Sequence, residues 1–173
     1  MHGAGMRIEV FHASKYGNGE KVAEEFKRLM AAEGNQVNVH NIDDVSPKDV
    51  GPADLYIFGS PTHMGKATGS MVRFLKKLDI PSGTNYASFC TCSAPRPDKE
   101  SGALPTEDEH ARTRRTIPMI DEQLADKGMV KVGEMTVYVR PETMKGPLED
   151  GWEARVEAFV SRILKSLKGP SHQ

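Results

Sequence analysis

The chain has 173 residues, enough for one domain with its own core and little room for a second. Hydrophobic residues make up 38% and charged residues 27%, a balance that excludes disordered, collagen-like and disulfide-stapled chains. Lys and Arg total 23 against 24 Asp and Glu, a net charge of −1, so the basic footprint of a general nucleic-acid binder is missing. No stretch approaches the roughly 20 apolar residues of a membrane helix, and residues 1–5 lack the apolar run of a secretory signal, so a cytoplasmic protein is expected.

Along the chain, apolar strand-like runs alternate with amphipathic helical runs and no internal repeat intervenes, the pattern of βαβ units around a parallel sheet. A first strand spans 6–13. A helix over 19–33 follows, with Val22, Ala23, Phe26, Leu29 and Met30 at helical spacing and Gly34 as its stop. A second strand covers 36–42. The third, 53–59, carries the continuous run Leu55-Tyr56-Ile57-Phe58, as a strand covered on both faces should. Met71, Phe74, Leu75 and Leu78 mark a helix closed by Pro81, and 85–92 forms a fourth strand. The stretch 93–128 begins Pro-rich and charged; Thr106 and Glu109 form a capping box, and Pro118 would kink any continuous helix. Its charges over 107–115 read as a solvated face. A fifth strand runs over 129–139, and a last helix carries Trp152, Val156, Phe159, Val160, Ile163 and Leu167 on one face. Tyr56 and Tyr86 are expected in the core, and His12 and His40 as packed or hydrogen-bonded strand-end residues. One domain is expected over 6–169, with flexible termini at 1–5 and 170–173.

In an open parallel sheet, ligands bind beyond the carboxyl ends of the strands where the strand order reverses. Three turns therefore matter. The first, Ser14-Lys15-Tyr16-Gly17-Asn18-Gly19-Glu20, enters a helix whose free N–H groups favour an anion, and its glycines let the backbone curl around phosphate oxygens; an ordinary turn is the alternative. The second, Ser60-Pro61-Thr62-His63-Met64-Gly65-Lys66, nearly matches a phosphate-binding Walker loop. Five residues separate Gly59 from Gly65, however, and Ala67 replaces the magnesium-holding hydroxyl, which disfavours nucleotide triphosphate hydrolysis. The third is Thr91-Cys92-Ser93-Ala94. Cys90 and Arg96 have the C-x5-R spacing of a phosphatase loop, but Pro95 and Pro97 oppose that cradle. The two cysteines fit neither a zinc ribbon nor a redox Cys-x-x-Cys. On the expectation that they point to opposite faces of their strand, both are taken as reduced and structural.

Together the three turns resemble those of the flavodoxin family. Ser14-Lys15-Tyr16-Gly17-Asn18-Gly19-Glu20 is similar to its phosphate loop, Gly59-Ser60-Pro61-Thr62-His63-Met64-Gly65 to the loop beside the flavin's dimethylbenzene and N5 edge, and 91–94 to the loop at the pyrimidine end. The resemblance covers nearly the whole chain. It implies an α/β three-layer sandwich with a five-stranded parallel sheet in the order 2-1-3-4-5 and FMN at the switch point. It also implies an FMN contact set of Ser14, Lys15, Tyr16, Gly17, Asn18 and Gly19; Ser60, Pro61, Thr62, His63, Met64 and Gly65; and Thr91, Cys92 and Ser93, without a metal. Gly65, or the peptides of 62–64, would offer a backbone group to N5, and His63 would place positive charge near the ring.

Two departures stand out. Tyr16 and Gly19 replace threonines of the phosphate loop, and no aromatic pair takes the place of the usual ring sandwich. These departures and the near-neutral charge predict a less negative potential and a more accessible ring. The resemblance implies an electron carrier between redox partner proteins. The alternatives are an FMN-dependent reductase or oxidase acting on a small quinone or a tetrapyrrole precursor, as in quinone-dependent protoporphyrinogen oxidases, and a flavin-free binding module on the same scaffold. A receiver domain is excluded because the third strand ends in Phe58-Gly59-Ser60 without an aspartate.

Overall fold

The computed structural model describes residues 5–141 and 145–168; the expectations for 1–4 and 170–173 lie outside them. Five parallel strands, β1 (Arg7–His12), β2 (Gln36–Asn41), β3 (Leu55–Pro61), β4 (Asn85–Ser93) and β5 (Val130–Val139), form one sheet in the order β2-β1-β3-β4-β5. The helices are α1 (Asn18–Ala32), α2 (Gly69–Lys77), α3 (Glu107–Arg112), α4 (Thr116–Ala125) and α5 (Trp152–Lys168). The flavodoxin-like sandwich with strand order 2-1-3-4-5 is thus present.

Alternation along the strands sorts the core into two layers. Ile8, Val10, Leu55, Ile57, Ala87, Phe89 and Val137 pack against Val22, Phe26 and Met30 of α1 and Val156, Phe159 and Ile163 of α5. On the other face Phe11, Tyr56, Phe58 and Tyr86 meet Met71, Phe74 and Leu75 of α2 and Ile120 and Leu124 of α4. β1 and β3 are buried on both faces because helices cover both, which explains the unbroken apolar run in β3. Trp152 packs partly buried against the first layer. Both tyrosines lie in the second, their hydroxyls donating to the Gly51 carbonyl at 2.5 Å and to Asp121 at 2.8 Å.

Several local details depart from the sequence reading. Two short 3-10 turns, Ile42–Asp44 and Pro47–Asp49, bridge β2 to β3; Asn41 and Ser46 cap them by accepting from the Asp43 and Lys48 N–H groups. The capping box of Thr106 and Glu109 is present. The helical stretch beyond it breaks at 113–115, ahead of Pro118. That proline sits in the first turn of α4, where its missing N–H has no carbonyl to find. Of the charged residues over 107–115, most are exposed, but Arg114 is half-buried and lies 5.8 Å from the Tyr138 ring centroid. The buried carboxylate of Glu9 is satisfied by Asn38 at 2.8 Å, His40 at 2.6 Å and Arg7 at 3.3 Å. Burial pushes its pKa up, but these bonds outweigh that and hold it below the usual range.

Candidate functional site

β1 and β3 are neighbours whose connections leave in opposite directions, so a crevice opens above their carboxyl ends. The first wall begins at His12, buried at the end of β1. Its Nδ1 accepts from the Ser14 N–H at 3.2 Å, and the Ser14 hydroxyl oxygen accepts from the Gly17 N–H at 2.9 Å. Gly17, at φ 93°, then turns the chain into α1 through the left-handed region that only glycine enters freely. The first intrahelical bond is Lys21 N–H to the Gly17 carbonyl at 3.1 Å, so the N–H groups of Asn18, Gly19 and Glu20 project from the helix start without carbonyl partners. Burial lowers the pKa of His12, against the pull of Glu20, Glu24, Asp44 and Asp43, and only the unprotonated Nδ1 can accept from Ser14. Gly19 approaches Ser14 so closely that a Cβ there would lie 3.3 Å from the Ser14 Cβ. A threonine at this position would crowd the serine, which gives a steric reason for the departure from the family pattern. The Tyr16 ring lies between the ammonium groups of Lys15 and Lys145, each 5.6 Å from its centroid.

The second wall extends from β3. The buried Ser60 hydroxyl donates to the Pro61 carbonyl at 2.8 Å and accepts from the Thr68 N–H at 3.1 Å, closing the loop between them. Within that loop His63 and Lys66 exchange backbone bonds of 2.8 and 3.0 Å, leaving Met64 (φ 51°) and Gly65 (φ 77°) as the two corner residues of a tight turn. The turn is tied down by the Gly65 carbonyl, which accepts from the Arg115 N–H at 2.5 Å, and by the Thr62 and Thr116 hydroxyls, 2.7 Å apart. Thr68 then caps α2, its hydroxyl accepting from the Met71 N–H at 3.2 Å.

The third wall is the end of β4, joined to the second by Thr62 N–H to the Thr91 carbonyl at 2.8 Å. Cys90 and Cys92 are both free and buried. The expectation of opposite faces is corrected: positions two apart on a strand share a face, and here that face is the one toward α2 and α4. A hydrogen bond from Cys92 draws the Cys90 thiol down to about 7, against burial and with help from the Thr136 hydroxyl at 3.4 Å; the same bond and burial push Cys92 up. The C-x5-R spacing builds no cradle, because Cys90 is buried while Arg96 is exposed and donates to the Pro141 carbonyl.

The walls enclose a hollow of about 500 Å³, within the roughly 300–1,000 Å³ usual for small-molecule sites. Ser14, Lys15, Tyr16, Asn18 and Gly19 line it from the first turn, Pro61, Thr62, His63 and Met64 from the second, and Thr91, Cys92 and Ser93 from the third. Gly17, Ser60 and Gly65 stand behind this lining, shaping the turns rather than facing the space. Lys66, which belongs to the second turn but not to the expected contact set, and Ala67, Thr68, Gly69 and Val139 also line the hollow. The first four continue the second turn into the α2 cap, which the Thr68-Gly69 pair signals; Val139 arrives from β5 and has no local signal at all.

Comparison with known proteins agrees with this fold. Residues 9–135 match the flavodoxin domain. A comparison with curated protein sequences yields no match. Among solved structures, the chain is similar to the Streptococcus pneumoniae TIGR4 flavodoxin at 20% identity and TM-score 0.67, covering 92% of this chain and 99% of that one. A short-chain flavodoxin associated with a non-canonical PDU bacterial microcompartment has 16% identity and TM-score 0.67, covering 93% and 98%. Rubredoxin oxygen:oxidoreductase from Desulfovibrio gigas has 16% identity and TM-score 0.66, covering 94% of this chain but 36% of its own. With the domain match spanning most of the chain and the sheet order agreeing, the chain belongs to the flavodoxin family.

Proposed function

We propose that the hollow binds FMN and that the protein passes electrons through it between redox partners. The observation that carries this reading is the convergence of three turns, distant in sequence, around one hollow at the carboxyl edge of β1, β3 and β4. The residues fit the group. A phosphate suits the start of α1, where Gly17 opens the turn and, among the described residues, the N–H groups of 18–20 have no carbonyl partner and no side chain caps the helix. Lys15 adds positive charge beside it. The broader part of the hollow, between the 61–69 loop and 91–93, has the apolar and polar mixture that a planar ring requires.

Bound FMN supplies reversible electron uptake; the chain supplies placement and electrostatics. Ser14 and the helix start hold the phosphate end, and Thr91, Cys92 and Ser93 border the opposite wall. In the 63–66 turn the carbonyls of His63 and Lys66 are engaged with each other's N–H groups, and that of Gly65 with Arg115. The Met64–Gly65 peptide is the one whose carbonyl and N–H are both free among the described residues, so it can present either group to a ring nitrogen. Of the backbone groups expected to reach N5, those of Gly65 and the 62–64 peptides, this favours the peptide between Met64 and Gly65. Purified protein should show flavin absorption bands and release about one FMN per chain on denaturation; colourless protein that fails to quench added FMN fluorescence would refute the assignment.

A further inference from the structure

The hollow's mouth carries a charge and an apolar pattern that catalysis or FMN retention does not require. From residue 55 to residue 78 the sequence holds Lys66, Arg73, Lys76 and Lys77 and not one carboxylate, in a chain with 24 acidic residues among 173. Among the described residues, Lys15 and Lys66 line the hollow and no Asp or Glu does. Arg73 reaches back to the same place, its guanidinium 3.1 Å from where a Cβ on Gly69 would sit. The N-termini of α1 and α2 open toward the hollow as well, adding partial positive charge. Acidic groups stand on the α1 side, with Glu20 exposed in the first turn and Glu24, Asp43 and Asp44 acting on His12, so the basic excess belongs to the 55–78 side of the mouth; on α3, Glu109 is tied to its own cap and Glu107 accepts from the Tyr138 hydroxyl.

Within this basic rim stand two exposed apolar side chains, Met64 at 88% and Tyr16 at 45% exposure. Met64 is the one non-glycine residue with positive φ among the described residues. A backbone strain of this kind is kept where the surroundings hold it, and here the His63–Lys66 bonds and the Gly65–Arg115 bond do so. The result is a long, adaptable apolar side chain held out into solvent at the rim. An apolar centre inside a ring of one charge sign is the anatomy of a transient protein interface, and methionine suits such surfaces.

We infer that the mouth of the hollow is a docking surface for an acidic electron-transfer protein, with Met64 and Tyr16 as its apolar centre and Lys15, Lys66 and Arg73 as its steering rim. This rests on the proposed flavin site for its biological sense, but the surface itself is testable without flavin. The probe is a small acidic [2Fe–2S] ferredoxin titrated into isotope-labelled protein loaded with FMN, followed by amide signals, with basic cytochrome c as the opposite probe. Signals of residues 15–16 and 63–66 should respond to the ferredoxin. Its affinity should fall about tenfold or more as salt shortens the screening length from about 30 Å to about 8 Å. The Lys66→Glu, Arg73→Glu double variant should lose about tenfold at low salt. Met64→Ser should lose several-fold while keeping the salt dependence, because it removes contact area and not charge. Tighter binding of cytochrome c at the same amides, or no response to ferredoxin, would overturn the inference. So would saturation of these amides by a sulfonated quinone that ferredoxin cannot displace, which would make the mouth a small-anion site. Failure of the protein to retain FMN would sink the proposed function alone, since the same titration of unloaded protein still reads the surface.

Discussion

Gly59→Ala is the sharpest test of how the sheet positions the site. A Cβ at residue 59 would lie 2.0, 2.2 and 2.4 Å from three ring carbons of Phe89, where carbon pairs normally rest at about 3.5–4.0 Å. The ring must therefore retreat by roughly 1.5 Å to restore ordinary contact. It has nowhere to go: Phe89 is fully buried, its ring centroid lies 5.4 Å from that of Phe26, and Phe26 in turn lies 6.0 Å from Phe159. Overpacking of this kind costs about 1–3 kcal/mol and sometimes more. Urea denaturation should show a lower midpoint at unchanged slope. Phe89→Ala alone should cost about 3–5 kcal/mol, and the double variant should cost clearly less than the sum, because removing the ring makes room for the new methyl. Since Gly59 accepts the Ala13 N–H through its carbonyl and precedes Ser60, displacement here should also weaken FMN binding. A Gly59→Ala variant within about 0.5 kcal/mol of the parent, or strict additivity with Phe89→Ala, would refute the packing argument.

Ser60→Ala removes the acceptor of the Thr68 N–H and the donor to the Pro61 carbonyl. It should cost about 1–3 kcal/mol and loosen the 61–68 loop, read as a several-fold weaker FMN fluorescence titration; unchanged affinity would place the loop's closure elsewhere. Burial gives folded His12 a lower pKa than its unfolded value of about 6.5, so the unfolded chain binds the extra proton first on acidification. The contribution of His12 to stability is accordingly complete above about pH 6.5 and declines as pH falls from there toward its folded pKa. Denaturation midpoints compared between parent and His12→Phe across about pH 7.5 to 5 should show a smaller acid loss in the variant; parallel curves would remove His12 from the account.

The order and type of the elements were readable because burial on both faces leaves continuous apolar runs in the central strands, while covering helices keep a one-sided stripe. Residues 55–58 and the stripe of Val156, Phe159, Val160 and Ile163 illustrate both. The capping box at Thr106 was equally visible, because it closes within four residues. The break at 113–115 was not. It follows from Gly65 and Thr62 holding that segment across the fold, and no local pattern announces a bond between residues about fifty positions apart.

The same division runs through the site. Glycines, hydroxyls and strand ends mark the three turns in the one-dimensional text, because a sharp turn before a helix demands particular backbone freedom and caps wherever it occurs. What each residue does there is settled by neighbours far along the chain. Gly59 is a glycine because of Phe89, Ser60 faces inward to close a loop, and Val139 enters the lining from β5. The shared face of Cys90 and Cys92 follows from strand geometry alone, but the opposite directions in which their thiols are pushed come from the hydrogen bond between them, from burial and from the Thr136 hydroxyl beside Cys90. Local chemistry is written in neighbouring letters, whereas packing, charge at the mouth and the direction of each side chain exist only once distant segments touch.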